Sequence, residues 1–226
     1  MAVKEPPVKV MPPETGATTL RMSYEEFLEW ADEDTHAEWV NGEVIVFMPP
    51  KPPHQILTEF LDRLLGLFVA VFDLGQLHIA PIEVKLWQAG PSREPDLLFL
   101  SKAHLNQVTP DQIVGAPDLV VEIVSNDSVH RDRVDKFDNY EKAGVREYWI
   151  LDNRPNQQRA WFYQVDRNGK FREIPPDAQG IYRSAELPDF WLRVEWLWDD
   201  NPDALKALAQ VVGAERFAAA LKRAAQ

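Results

Sequence analysis

Asp96, Glu122 and Lys136 are the residues whose type and setting best suit chemistry in this chain. Glu122 stands inside Leu119-Val120-Val121-Glu122-Ile123-Val124, a run typical of a strand covered on both faces. A lone carboxylate there costs several kcal/mol unless something compensates it. Two compensations are open. A divalent cation such as Mg²⁺ or Mn²⁺ takes hard oxygen ligands from a few carboxylates and water. Asp96, which opens a neighbouring strand after Pro95, would supply a second carboxylate, and Asp118 shares the face of Glu122 by alternation. The alternative is an ion pair with Lys136. Asp132, Lys136 and Tyr140 fall at i, i+4 and i+8 of the helix that follows, on a stripe with Val129 and Ala143 that reads as facing the protein. A lysine there would orient an attacking water or steady a developing anion.

Other candidates are secondary. Asn41-Gly42 between two alternating runs predicts a hairpin in which Val40 opposes Glu43, Trp39 opposes Val44 and Glu38 opposes Ile45. Glu38 and Glu43 then lie on one face as diagonal neighbours. His54 either lines the site or starts a helix at the surface. Arg131 and Arg133 either touch phosphate or pair with Asp132 and Asp135. Tyr140 reads as core as readily as site, and Trp191, Trp196 and Trp198 suit either the core or a dimer patch.

The elements that position these residues follow from local signals. Ser23-Tyr24-Glu25-Glu26 is a capping box, and the helix after it should turn Tyr24, Phe27, Leu28 and Ala31 inward. After a rigid Pro-rich connector, residues 55–72 predict a buried helix with Ile56, Phe60, Leu64, Leu67 and Val71 on its apolar arc. Residues 77–87 read as one strand interrupted by Pro81, and 103–116 as a loop with a short helix. Ser125, Asp127 and Ser128 are N-cap candidates for a helix over about 128–143 that ends at Gly144. Residues 146–152 read as a buried strand, and a hairpin turning at Asn168-Gly169 follows. One or two amphipathic helices run from 202 onward. Strands and helices interleave, with hairpins at both ends, which predicts a mixed α/β (α+β) architecture. The expected division is a flexible Pro-rich tail at 1–18, a main domain at 19–198 and a C-terminal helical extension at 199–226.

With 226 residues, 45% of them hydrophobic, the chain is ample for a packed core. It has no cysteine, which excludes disulfides, thiolate metal sites and cysteine nucleophiles. No apolar run is long enough to span a membrane, and the first residues lack the apolar core of a secretory signal, so a cytoplasmic protein is expected. The net charge of −12 argues against a broad basic surface for wrapping nucleic acid, but not against a small local site.

The order Glu38, then Glu94-Pro95-Asp96, then Val121-Glu122-Ile123-Val124-Ser125, then Lys136-Phe137-Asp138-Asn139-Tyr140 resembles the Uma-type (Uma two) family of bacterial restriction-endonuclease-like proteins. Tyr24-Glu25-Glu26-Phe27, Val40-Asn41-Gly42-Glu43 and Glu147-Tyr148-Trp149-Ile150-Leu151-Asp152 resemble it as well, so the likeness covers about residues 20–190. It implies the PD-(D/E)XK nuclease fold, a restriction-endonuclease-like mixed central sheet flanked by helices, here with a C-terminal hairpin and helical extension. It implies Asp96 and Glu122 as metal ligands, with Glu38 completing the catalytic set. The superfamily lysine is expected two positions after Glu122, where this chain has Val124; the resemblance implies that Lys136 on the next helix replaces it. After Ser125 the family commonly has Pro-Ser, whereas this chain has Asn126-Asp127.

The expected activity is hydrolysis of DNA phosphodiester bonds by a Mg²⁺-dependent (or Mn²⁺-dependent) endonuclease, as a homodimer because two-fold sites cut two strands simply. A related possibility is a metal-dependent hydrolase acting on another phosphodiester. The alternative from a different class is a non-catalytic protein that keeps the fold as a binding or assembly module. The acidic balance favours that alternative; the retention of Asp96, Glu122 and Lys136 favours the enzyme.

Overall fold

The computed structural model describes residues 18–32, 35, 37–46, 50–124 and 135–224. In chain order the strands are β1 (Thr18–Arg21), β2 (Ala37–Val40), β3 (Glu43–Val46), β4 (Gly75–Ile79), β5 (Val84–Lys85), β6 (Ser92–Arg93), β7 (Leu97–Ser101), β8 (Ile113–Val114), β9 (Leu119–Ile123), β10 (Glu147–Asp152), β11 (Arg159–Val165), β12 (Phe171–Glu173), β13 (Ile181–Arg183) and β14 (Trp191–Arg193). The α-helices are α1 (Tyr24–Trp30), α2 (Pro52–Phe72), α3 (Lys136–Ala143), α4 (Ala204–Val212) and α5 (Ala214–Ala224). One sheet runs β12-β11-β10-β9-β7-β4 and a second runs β1-β3-β2-β6-β5-β8, while β13 and β14 form a hairpin. Both large sheets are mixed: β9 pairs parallel with β10, and β5 with β8.

Several elements follow the sequence signals. The Asn41-Gly42 turn has φ of 52° and 88° at its two residues, and the hairpin register is the expected one. Ser23 caps α1 in a full capping box, and α3 ends at Gly144 in the left-handed region. Others differ. Leu28 is 48% exposed, so α1 buries a narrower face than its apolar residues suggested. Helix α2 begins at Pro52, because prolines at the first two positions lack only N–H groups that would be unpaired anyway. It buries Leu57, Phe60, Leu61, Leu64, Leu65, Phe68 and Val69 and exposes Ile56 and Leu67. Apolar residues all around this helix left its phase undetermined by sequence. Residues 77–87 are not one strand: Pro81, after a cis peptide bond, cannot donate to a ladder, and β4 and β5 join different sheets. Strand β1 and the β13–β14 hairpin are additions to the elements that the sequence predicts.

One face of the first sheet packs on α2 and α4 through Val121, Phe68 and Leu208. Its other face packs on α3 through Val120, Tyr140 and Tyr148. The N-cap candidates Ser125, Asp127 and Ser128, together with Val129, Arg131, Asp132 and Arg133, lie outside the described residues, as does the tail through residue 17.

Candidate active site

Strands β7 and β9 are antiparallel, with Leu97 opposite Val121, so Asp96 comes opposite Glu122 at the end of the ladder. The Asp96 carboxylate is oriented from two sides. Its Oδ2 accepts from the Ile123 N–H at 2.6 Å, and its Oδ1 lies 3.1 Å from His54 Nε2 in the first turn of α2. Glu122 is 3% exposed. Its Oε2 accepts from Lys136 Nζ at 2.8 Å and its Oε1 from the Tyr140 hydroxyl at 2.7 Å. The i, i+4 spacing on α3 brings both donors to one carboxylate. Thus Glu122 has a protein partner for its charge, the second of the two compensations the sequence allowed.

The second sheet supplies the rest. Glu38, on β2, is fully buried, and its Oε1 lies 3.0 Å from the same Lys136 Nζ. Its other oxygen accepts from Arg93 Nη1 at 2.8 Å, and the Glu94 N–H donates to Oε1 at 3.2 Å. Arg93 Nη2 donates to Asn139 Oδ1 at 3.1 Å. Sequence reasoning missed Arg93 and Asn139. Arg93 lies only three positions before Asp96, yet what aims it at Glu38 is the β2–β6 pairing of Trp39 with Ser92, a contact with no local sign.

Two carboxylates and two cations therefore alternate in a buried cluster. Burial, then the Glu122 and Glu38 charges, push the Tyr140 hydroxyl well above its usual range, so it remains a neutral donor. Burial alone would lower the Arg93 guanidinium, but the Glu38 charge and hydrogen bond, with the Glu122 charge, outweigh it and the group stays charged.

The remaining candidates sit elsewhere. Glu43 pairs with Arg21 at 2.8 Å on the surface. Asp118 is buried at the other end of β9, where the Ser101 N–H and His104 Nδ1 lie 2.7 and 2.8 Å from its oxygens.

A magnesium-type ion is usually held by one or two carboxylates and keeps several waters, and Asp96 and Glu122 are two carboxylates at one end of the β7–β9 ladder. Among the described residues no three His, Cys, Asp or Glu side chains group tightly enough to hold an ion unaided. An ion here would need water or substrate oxygens as well.

A mixed sheet flanked by helices, with facing carboxylates on adjacent strands and a lysine from the next helix, has the architecture of the restriction-endonuclease-like class. Residues 24–195 match the Uma2 family, described as "Putative restriction endonuclease", and the chain belongs to that family. A crystal structure described as a putative nuclease belonging to DUF820, from Anabaena variabilis, has the same fold: TM-score 0.63 at 18% identity, over 78% of this chain and 97% of that one. No curated protein matches.

Proposed function

We propose that the protein is a Mg²⁺- or Mn²⁺-dependent endonuclease that hydrolyses phosphodiester bonds of DNA. The observation that carries this reading is the placement of Asp96 opposite Glu122, with Lys136 Nζ 2.8 Å from Glu122. Asp96 and Glu122 would hold the ion. A bound divalent cation lowers the pKa of its water and polarises the scissile phosphate. The protein's own groups do the positioning. The Ile123 N–H and His54 fix the Asp96 carboxylate, and the Tyr140 hydroxyl fixes that of Glu122. Lys136 brings a cation to the phosphate, where charge accumulates as water attacks phosphorus and the leaving oxygen departs. Glu38, held by Arg93, gives the lysine a second anchor besides Glu122.

A second reading has one observation in its favour: the cluster of Glu38, Glu122, Arg93 and Lys136 is already charge-balanced. In that reading the protein is a non-catalytic binding or assembly module. Calorimetric titration of Mg²⁺ and Mn²⁺ into wild type and Glu122→Ala, with a plasmid-nicking assay, separates the two. The nuclease reading expects metal uptake and nicking by the wild type and loss of both in the variant. A folded wild type that takes up neither ion refutes it.

A further inference from the structure

We infer that Arg159, held on the Trp161 ring beside the β10–β11 turn, grips a backbone phosphate of the DNA strand that enters the candidate active site. This inference rests on the nuclease reading above for the identity of its ligand.

Glu122 pairs with Ile150, and Ile150 with Trp161, so these side chains form one row across β9, β10 and β11 on a single face of the sheet. Two strand spacings separate Trp161 from Glu122, roughly 10 Å. Asp96 ends the row on the other side of Glu122. The turn lies at the same end of the sheet as the acidic pair. Its Asn153 side chain donates to the Pro53 carbonyl at 2.8 Å, next to His54, which itself touches Asp96.

The chain has 36 acidic residues, yet none lies between Asp152 and Asp166. Eight of the described arginines pair with a carboxylate. Arg159 is exposed and has no carboxylate partner among the described residues. Its cross-strand neighbour Asp152 is already taken by Arg154 at 2.8 Å. What holds Arg159 is the Trp161 ring, 4.7 Å from the guanidinium carbon to the ring centroid. A guanidinium stacked on an aromatic ring keeps its N–H edge for a planar or tetrahedral oxyanion and gives up less rotamer freedom on binding. In an acidic protein, an exposed arginine kept clear of carboxylates and ordered beside the reacting groups suits a phosphodiester that must approach them. Trp161 acts here as a positioning residue.

The test is fluorescence anisotropy of a labelled duplex oligonucleotide over a salt series, with Ca²⁺ in place of Mg²⁺. It compares wild type, Arg159→Ala, Arg159→Lys, Trp161→Phe and Trp161→Ala. Arg159→Ala is expected to weaken binding several-fold and to reduce the slope of log affinity against log salt by about 0.9, one phosphate's share. Arg159→Lys should keep the slope. Trp161→Phe should bind as wild type does, and Trp161→Ala should bind more weakly with the slope kept, since the charge remains. Wild-type affinity and slope in Arg159→Ala overturn the inference, as does a wild type that does not bind DNA. Arg159-independent binding alongside Glu122-dependent nicking removes this surface and leaves the nuclease. Arg159-dependent binding without metal uptake or nicking keeps the surface and removes the nuclease.

Discussion

Glu122 tolerates burial because each of its oxygens accepts a strong donor, and Lys136 is shared with Glu38 rather than owned by one carboxylate. Sharing makes the residues unequal. Lys136→Met takes a cation from two buried carboxylates at once, and breaking a buried pair from one side costs about 3–5 kcal/mol. Glu122→Gln leaves Lys136 on Glu38 and still offers Tyr140 an amide oxygen, so its cost is about 1–2 kcal/mol. Urea denaturation of the two variants should rank them in that order. The reverse ranking would mean that Glu122, not the lysine, is the keystone of the cluster.

At the scale of elements, β4 carries a titratable group that should be visible in stability. His78, opposite Leu98, has a buried Nε2 with no hydrogen-bond partner among the described residues. Burial lowers its pKa from 6.5, so the folded state holds the ring neutral while the unfolded chain takes up the proton more readily. This contribution to stability is complete above pH 6.5 and is lost as pH falls toward the lower folded value. His78→Leu should remove that part of the slope in unfolding midpoint against pH, and an unchanged slope would place the titration elsewhere. The elements that local chemistry dictates were legible in sequence: the Asn41-Gly42 hairpin, the Ser23 capping box and the stop at Gly144. What was not legible depends on distant pairing. Pro81 announces a break, but not that the chain changes sheets. The apolar surround of α2 hides which side meets α4. Glu122 and Lys136 could be matched because one helix follows one strand, whereas Arg93 could not be matched to Glu38 without the β2–β6 contact.

At the scale of the molecule, the candidate site is a seam. Asp96 and Glu122 belong to the first sheet, Glu38 and Arg93 to the second, and α3 bridges them with Lys136 and Asn139. The other face of the second sheet has its own clasp: Lys85 Nζ sits 3.2 Å from the Tyr24 ring centroid, and the Tyr24 hydroxyl donates to Glu83 at 2.7 Å, so α1 is fixed to the sheet. Trp191 and Trp196, candidates for a dimer patch, touch with ring centroids 5.4 Å apart and planes tilted by 36°, and pack against the main core. No described helix is long and apolar enough to cross a membrane. If the charge cluster is the principal tie at the seam, Glu38→Ala should loosen one side only. The variant leaves Arg93 buried without its carboxylate, worth at least about 3 kcal/mol or a hundredfold in local opening. Hydrogen exchange followed by mass spectrometry should then show that loss of protection in β2 and β3, while β9 and β10, paired with each other and packed on α2, exchange as in wild type. Equal loss in all four strands would show that the two sheets open as one cooperative unit, and that the apolar contacts between them, not the buried charges, hold the seam closed.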